Sequence, residues 1–252
     1  MPELPEVETV VRGLRAVLPG RAVVAVVGVA PEITIGKRIL AVRRYGKFIV
    51  LDFDDGMLFV HLGMTGQLML SSDQSKFTRG QLFLDEGVLR YDDIRKFGKV
   101  FWATTYPERG PDPLEITVQD FIQLTRSRRT RIKVLLLDQS FLRGLGNIYT
   151  DEVLFLARIH PMTPGDQLTK PKLLLLHQAI QDVLAAAIQA GGSSISDYVN
   201  ARGEKGSFQD QHQVYAKHGQ PCPRCAATLE RMLVSQRGTT FCPRCQILKS
   251  AS

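Results

Sequence analysis

Four cysteines near the carboxyl end carry the most specific chemistry in this chain. They stand as Cys222-Pro223-Arg224-Cys225 and Cys242-Pro243-Arg244-Cys245, two CxxC knuckles with sixteen residues between them. Each knuckle lets two thiolates reach one ion. Four thiolates close a tetrahedral zinc site with no open position, so the zinc is expected to be structural. A tail this short has little core, and metal binding should supply much of its folding free energy. The stretch between the knuckles, ERMLVSQRGTTF, reads as a hairpin with Arg237-Gly238 at or near its tip. Arg237 has two readings, a solvated turn residue or a cation held towards a polyanion.

The opposite end, MPELPEVETV, places a proline after the initiator methionine and Glu3, Glu6 and Glu8 directly behind it. Helix capping explains acids there, because carboxylates oppose the positive end of the helix dipole and Pro5 suits a first turn. A chemical role for Pro2 and Glu3 is the alternative. A third group lies mid-chain. Five cations crowd residues 126–133, RSRRTRIK, and SFLRGLGNIYTDE follows. Gly144 and Gly146 flank a tight turn, and Asn147 is placed to cap the next helix. Glycine amides at a helix start can hold an anion. A purely structural helix-turn-helix is the competing reading.

These groups need a scaffold, and the chain is long enough to build one. Its 252 residues are 44% hydrophobic and carry a formal net charge of +7, which suits two domains and favours a polyanionic partner. No run of about 18 apolar residues is present, so no membrane span is expected. The acidic start lacks the pattern of a signal peptide, which predicts a cytoplasmic protein and argues for metal rather than disulfides at the cysteines. His61, His160, His177, His212 and His218 are scattered without metal-ligand spacing.

Residues 2–18 have helical apolar spacing through Val7, Val10, Val11, Leu14, Val17 and Leu18, stopped by Pro19-Gly20. From 21 to about 105 come seven or eight short strand-like runs, with Asp54-Asp55-Gly56 and Asp85-Glu86-Gly87 as hairpin turns. They predict a sandwich or barrel. A Pro/Gly-rich linker follows at 107–113. Residues 117–200 read as helical, with helices at 132–139, 147–159 and 172–190, and 200–212 read as a flexible loop. The fold class is therefore α+β multidomain. Its parts are a β-sandwich domain with an N-terminal helix (1–113), a helical domain (114–213) and a four-cysteine zinc finger (214–249).

In this order, the pieces resemble the formamidopyrimidine-DNA glycosylase family of bacterial base-excision repair enzymes. The resemblance spans nearly the whole chain. It rests on PELPEVET, HLGMTG at 61–66, IRKFG at 94–98, the GLGNIY helix-two-turn-helix and the zinc finger. It implies a bifunctional DNA glycosylase/AP lyase that excises oxidised purines, chiefly 8-oxoguanine opposite cytosine and formamidopyrimidines. The partner would be double-stranded damaged DNA, bound by a monomer in a basic cleft between the two main domains. DNA would bend, and binding would weaken with salt. One structural zinc is the only cofactor implied, and the enzyme would be cytoplasmic, on the nucleoid when bound to DNA.

The resemblance also assigns residues. Removal of Met1 would expose the secondary amine of Pro2, which attacks C1′ and forms an iminium with the opened sugar. Glu3 would be the general acid/base. Lys47 matches the lysine assigned to β-elimination, and Arg237 the zinc-finger arginine assigned to δ-elimination. Arg128, Lys133 and Asn147 match DNA-phosphate positions. Met64, Arg95 and Phe97 match the residues that fill the void left by the everted nucleotide. Glu6 would be supporting, and Glu152 aligns with a carboxylate near the active site. The loop GEKGSF, 203–208, matches the segment that closes over the damaged base.

The chain departs from the family pattern in places. Ile94-Arg95-Lys96-Phe97-Gly98 stands where Pro-Arg-Arg-Phe-Gly is usual, which leaves opposite-base preference open. Phe77 takes the place of a DNA-contacting histidine just before the sixth strand. The stretch 28–38 is short. The enzymatic alternative is an endonuclease VIII-like specificity for oxidised pyrimidines. A non-catalytic DNA-binding paralogue needs neither Pro2 nor Glu3, and a zinc-ribbon scaffold would leave Met64, Arg95 and Phe97 without a role.

Overall fold

The computed structural model describes residues 1–28, 35–195 and 197–248. The shortened stretch at 28–38 falls mostly on residues 29–34, outside the described residues, as does position 249 at the end of the expected zinc finger. The chain forms two compact units, Met1–Pro107 with Ala187–Gln209, and Glu108–Ala186 with Asp210–Ser252.

In the first unit, helix α1 (Leu4–Arg15) is followed by eight strands: β1 (Val23–Val27), β2 (Ala41–Tyr45), β3 (Phe48–Phe53), β4 (Gly56–His61), β5 (Gly66–Leu70), β6 (Thr78–Leu84), β7 (Val88–Asp93) and β8 (Lys99–Ala103). They form two antiparallel four-stranded sheets, ordered β1-β6-β7-β5 and β2-β3-β4-β8. The central strands β3 and β7 are buried along nearly their whole length, and both sheets feed side chains into one core. Leu68, Leu82 and Leu89 of one sheet share a core with Val42, Leu51 and Leu58 of the other. Val7, Val10, Val11 and Leu14 of α1 complete it. Burying each such side chain contributes about 1.5–3 kcal/mol, an upper range given a compact unfolded chain. The turns at 54–55 and 85–87 join β3 to β4 and β6 to β7, as the Asp/Gly signals require.

The second unit contains α2 (Val118–Arg126), α3 (Ile132–Leu137), α4 (Asn147–Leu156) and α5 (Lys170–Gln189) as far as Ala186, then the hairpin β9 (Glu230–Val234) and β10 (Arg237–Phe241). Thr117 caps α2, accepting from the Asp120 amide at 3.2 Å. Phe155 of α4 packs against Val214, Leu229, Cys222 and Cys242, which fastens the cysteine-rich tail to the helices. Among the described residues, no helix is long and apolar enough to cross a membrane.

Candidate active site and nucleic-acid interface

Strand register gathers the first group of candidate residues at one end of the sandwich. Tyr45 pairs with Phe48 across the Gly46-Lys47 turn, Phe48 pairs with His61, and His61 pairs with Lys99. The Lys47 turn, the end of β4 and the start of β8 therefore lie side by side. From β4 the chain crosses to β5 in the other sheet through residues 62–65. From β7, paired to β5 with Asp93 opposite Gly66, it crosses back to β8 through residues 94–98. Met64 sits in the first crossing, and Arg95 and Phe97 in the second.

The start of α1 points to the same end. Arg44 Nε donates to Glu8 Oε2 at 3.0 Å, and Arg15 Nε donates to the Val42 carbonyl at 3.1 Å. Moving back along α1 from 15 to 8 thus moves along β2 from 42 to 44, towards the Lys47 turn. Glu3 is the N-cap residue and forms a reciprocal capping box with Glu6, whose Oε2 accepts from the Glu3 amide at 2.8 Å. The capping account of these acids holds, and Glu6 does more. Its Oε1 accepts from the Ser193 amide at 2.7 Å, which ties the start of α1 to residues 191–195. Gly192, at φ +83, leaves room for that carboxylate, since a Cβ there would stand 2.8 Å from Glu6 Oε1. Pro2 and Glu3 are buried beside the exposed Met1.

Lys47 is buried in its tight turn, not displayed on a strand surface. Met64 and Phe97 are the reverse, apolar side chains that are 40% and 54% exposed instead of sitting in the core. Arg95 is exposed with its guanidinium 4.8 Å from the Phe97 ring centre. Phe77 does directly precede β6. His61 Nδ1 accepts from the Gly63 amide at 3.1 Å, and its ring packs on Phe48. The 203–208 segment is held by hydrogen bonds: the Ser207 amide donates to the Ala190 carbonyl and the Phe208 amide to the Gly192 carbonyl.

The second unit assembles the other group. Arg126, Arg128, Arg129 and Arg131 are exposed, as a cationic surface needs. Lys133 differs, because it is fully buried with Nζ 2.5 Å from Asp151 Oδ1. Asp151 Oδ2 accepts from the Thr240 amide at 3.1 Å, so one carboxylate joins α3, α4 and β10. Burial pushes its pKa up to about 6, with the Lys133 charge and these hydrogen bonds pulling the other way. Asn147 is not the cap expected from the sequence. Gly146 holds that position with extended backbone, and Asn147 opens the helix. Its Nδ2 instead donates to the Gly238 carbonyl at 2.8 Å, which couples the start of α4 to the hairpin of Arg237. Asn147 Oδ1 is buried with no partner among the described residues. A polar cavity of about 430 Å³ opens here, lined by Asn147, Arg231, Gly238 and His218 among others. Arg237 itself is exposed, one residue past the Ser235-Gln236 turn, where both φ angles are positive.

Sequence reasoning missed what Asp93, Asp151 and Glu152 do. Glu152 is neither a surface ion-pair partner nor an open active-site group. It is buried and accepts from the amides of Gln213, Val214 and Tyr215 at 2.8–3.0 Å, anchoring the loop that enters the cysteine-rich tail. Burial raises its pKa against those three bonds. No local signal marks this role, because charged side chains are mostly exposed and the three amides lie 61–63 residues away along the chain.

The cysteines fit zinc. Zn–S bonds of about 2.3 Å in a tetrahedron require sulfurs about 3.8 Å apart. Cys222 and Cys245 Sγ are 3.9 Å apart, Cys225 and Cys242 3.5 Å, and Cys225 and Cys245 3.6 Å. All four lie within 4.8 Å of one another. These four thiolates hold one structural zinc ion.

Comparison with known proteins agrees with this layout. Residues 1–100 match the formamidopyrimidine-DNA glycosylase N-terminal domain, 109–199 its H2TH domain and 219–247 the zinc finger found in FPG and IleRS. The chain is 46% identical to a formamidopyrimidine-DNA glycosylase of Solibacter usitatus, over 98% of this chain and 99% of that protein. It superposes on MutM (Fpg) of Thermus thermophilus with a TM-score of 0.88 at 39% identity, covering 97% and 98% of the two chains. A Lactococcus lactis Fpg variant in complex with a Fapy-dG containing DNA gives a TM-score of 0.90 at 36% identity, covering 98% and 100%. From end to end, in domain order and in sequence, the chain belongs to the formamidopyrimidine-DNA glycosylase family.

Proposed function

We propose that this DNA glycosylase of base excision repair removes oxidised purines, 8-oxoguanine opposite cytosine and formamidopyrimidines, and then cleaves the strand through a Schiff base on Pro2. The observation that carries the reading is the convergence at one end of the sandwich. The start of α1, with Pro2 and Glu3, faces the end that also bears the Lys47 turn and the exposed Met64, Arg95 and Phe97.

With Met1 removed, the Pro2 nitrogen attacks C1′ as the bond from C1′ to the damaged base breaks and the base leaves with a proton. Glu3 protonates O4′, the sugar ring opens, and the C1′–nitrogen bond becomes an iminium. The iminium acidifies C2′–H. Loss of that proton breaks the C3′–O bond, and a second elimination breaks the C5′–O bond. Lys47 serves the first elimination and Arg237 the second. The α1 dipole and nearby cations favour a neutral Pro2 amine. Met64 and Phe97 fill the gap in the stack, and Arg95 bonds the orphaned cytosine. Arg128, Asn147 and Arg237 hold phosphates. Lys133 supports that site from below through Asp151. The enzyme acts as a cytoplasmic monomer on double-stranded DNA, and its functional divisions are 1–113, 114–213 and 214–249.

Borohydride trapping on an 8-oxoguanine:cytosine duplex tests the mechanism. A covalent adduct mapped to Pro2 is expected, lost in Pro2→Gly and strongly reduced in Glu3→Gln. Intact-mass measurement should show Met1 absent. A zinc-loaded, DNA-binding, Met1-processed protein that forms no adduct would refute the lyase assignment.

A further inference from the structure

The two crossing segments at 62–65 and 94–98 are joined by one buried carboxylate. Asp93 closes β7 and is 1% exposed. Its Oδ1 accepts from Thr65 Oγ1 at 2.6 Å and from the Arg95 amide at 3.2 Å. Its Oδ2 accepts from the Gly98 amide at 2.8 Å and from the Tyr91 hydroxyl at 3.3 Å. The Arg95 amide also donates to Thr65 Oγ1 at 3.0 Å, which closes a ring of contacts between the segments.

The backbones interlock as well. A Cβ at Gly63, where φ is +61, would stand 2.5 Å from the Gly98 nitrogen and 2.6 Å from the Phe97 carbonyl carbon. Lys96, between Arg95 and Phe97, sits at φ +58, a strained conformation for a side chain with Cβ. Something must hold it, and the carboxylate grips the chain on both sides, at 95 and at 98. Thr65 follows Met64, so the same carboxylate grips the first crossing next to its exposed apolar tip.

We propose that Asp93 is the positioning residue that presets Met64, Arg95 and Phe97 for entry into the DNA stack. This rests on the reading of those three side chains as void fillers. The physical benefit is preorganisation. Exposed side chains insert with a larger net gain when their backbones need no further ordering on binding. A carboxylate that accepts four hydrogen bonds does this without occupying the tip itself. Burial would raise the Asp93 carboxyl, yet the bonds from Thr65, Gly98, Tyr91 and Arg95 outweigh it and hold it below the usual range. It is therefore a full acceptor at neutral pH.

The test uses a duplex with an abasic analogue and 2-aminopurine as its neighbour, whose fluorescence rises when a side chain unstacks it. Asp93→Asn keeps the shape but turns one acceptor into a donor, and a backbone amide already donates to each oxygen, Arg95 to Oδ1 and Gly98 to Oδ2. It should slow the fluorescence rise at least about ten-fold, while affinity for undamaged duplex stays within about two-fold. Discrimination between cytosine and adenine opposite 8-oxoguanine should fall towards unity, a ratio that loss of folded protein alone would not move. Thr65→Val removes one donor at almost constant volume and decides the matter if Asp93→Asn fails to fold. Phe97→Ala is the control on the underlying reading. If Phe97→Ala abolishes the fluorescence rise while both Asp93→Asn and Thr65→Val leave rate and discrimination intact, Asp93 does not position the wedge. If Phe97→Ala leaves the rise unchanged, the void-filling reading fails and takes this inference with it.

Discussion

Lys133 Nζ lies 2.5 Å from Asp151 Oδ1, and neither side chain reaches solvent. A residue that looks from sequence like part of a cationic surface is an interior strut. Breaking one partner of such a pair leaves an uncompensated buried charge and costs about 3–5 kcal/mol, whereas removing both charges costs far less than the sum. Lys133→Met, which strands the buried Asp151 carboxylate, should lower the denaturant midpoint; Asp151→Asn should lower it less, because burial already favours the neutral form of that carboxyl. The double variant should recover at least about 2 kcal/mol relative to additivity. Additive losses would mean that the two groups do not act as a pair.

The same burial separates Lys133 from its neighbours in DNA binding. Each phosphate contact contributes about 0.9 to the slope of log affinity against log salt. Arg128 is exposed, so Arg128→Ala should weaken binding and flatten that slope by about one. Lys133→Met should weaken binding, if at all, without changing the slope, because no counterion is released by a charge already paired inside the protein. Titrations at four or more salt concentrations decide this. A slope reduced equally by both substitutions would show that Lys133 leaves Asp151 to reach a phosphate.

Local features of the chain were legible where the physics is local. The 3.6-residue apolar spacing behind MPELPEVET gives α1, the Asp-Gly turns mark the strands, and two CxxC knuckles specify the metal site before any coordinates are known. Contacts made across long sequence separation were not. Asp151 and Thr240 are 89 residues apart, Thr65 and Asp93 are 28 apart, and nothing in the local pattern couples them. Asn is a good helix cap by residue type, yet Gly146 takes the N-cap position and the Asn147 side chain finds an acceptor at Gly238, 91 residues away. The sequence pattern groups residues 187–209 with the helices that precede them. Their place in the first unit depends on Glu6 accepting from Ser193, a contact with no sequence signature.

Two opposed groups of buried residues set the response of the protein to acid. Burial lowers the His212 pKa to about 4, so the folded state resists a proton that the unfolded chain accepts near 6.5. That difference removes stability as pH falls from about 6.5 towards 4. Asp151, raised to about 6, acts with the opposite sign, since the folded state holds a proton there more tightly than the unfolded chain. The total profile is therefore flattened, and the separate contribution shows only by difference. Between pH 7 and pH 5 the stability gap between the parent and His212→Gln should narrow by about 2 kcal/mol. Denaturant titrations in excess zinc at the two pH values measure it. A constant gap would place His212 in contact with solvent in the folded state.

Two glycines with similar backbone conformations offer a direct measure of how tightly the crossing segments are interlocked. Gly87, at φ +91, has nothing within 4 Å of the position a Cβ would take. Gly63, at φ +61, has the Phe97 and Gly98 backbone within 2.8 Å of that position. Alanine at either position carries the strain of the left-handed region, about 1–2 kcal/mol. At Gly87 that should be the whole effect. At Gly63 the methyl group must also displace main chain held by Asp93, which cannot yield as a flexible side chain would, so the loss should be at least about twice as large. The displaced segment carries Arg95 and Phe97, so Gly63→Ala should also slow base excision on an 8-oxoguanine:cytosine duplex while Gly87→Ala does not. Equal destabilisation with unaltered excision in both variants would show that the 62–65 and 94–98 segments move independently.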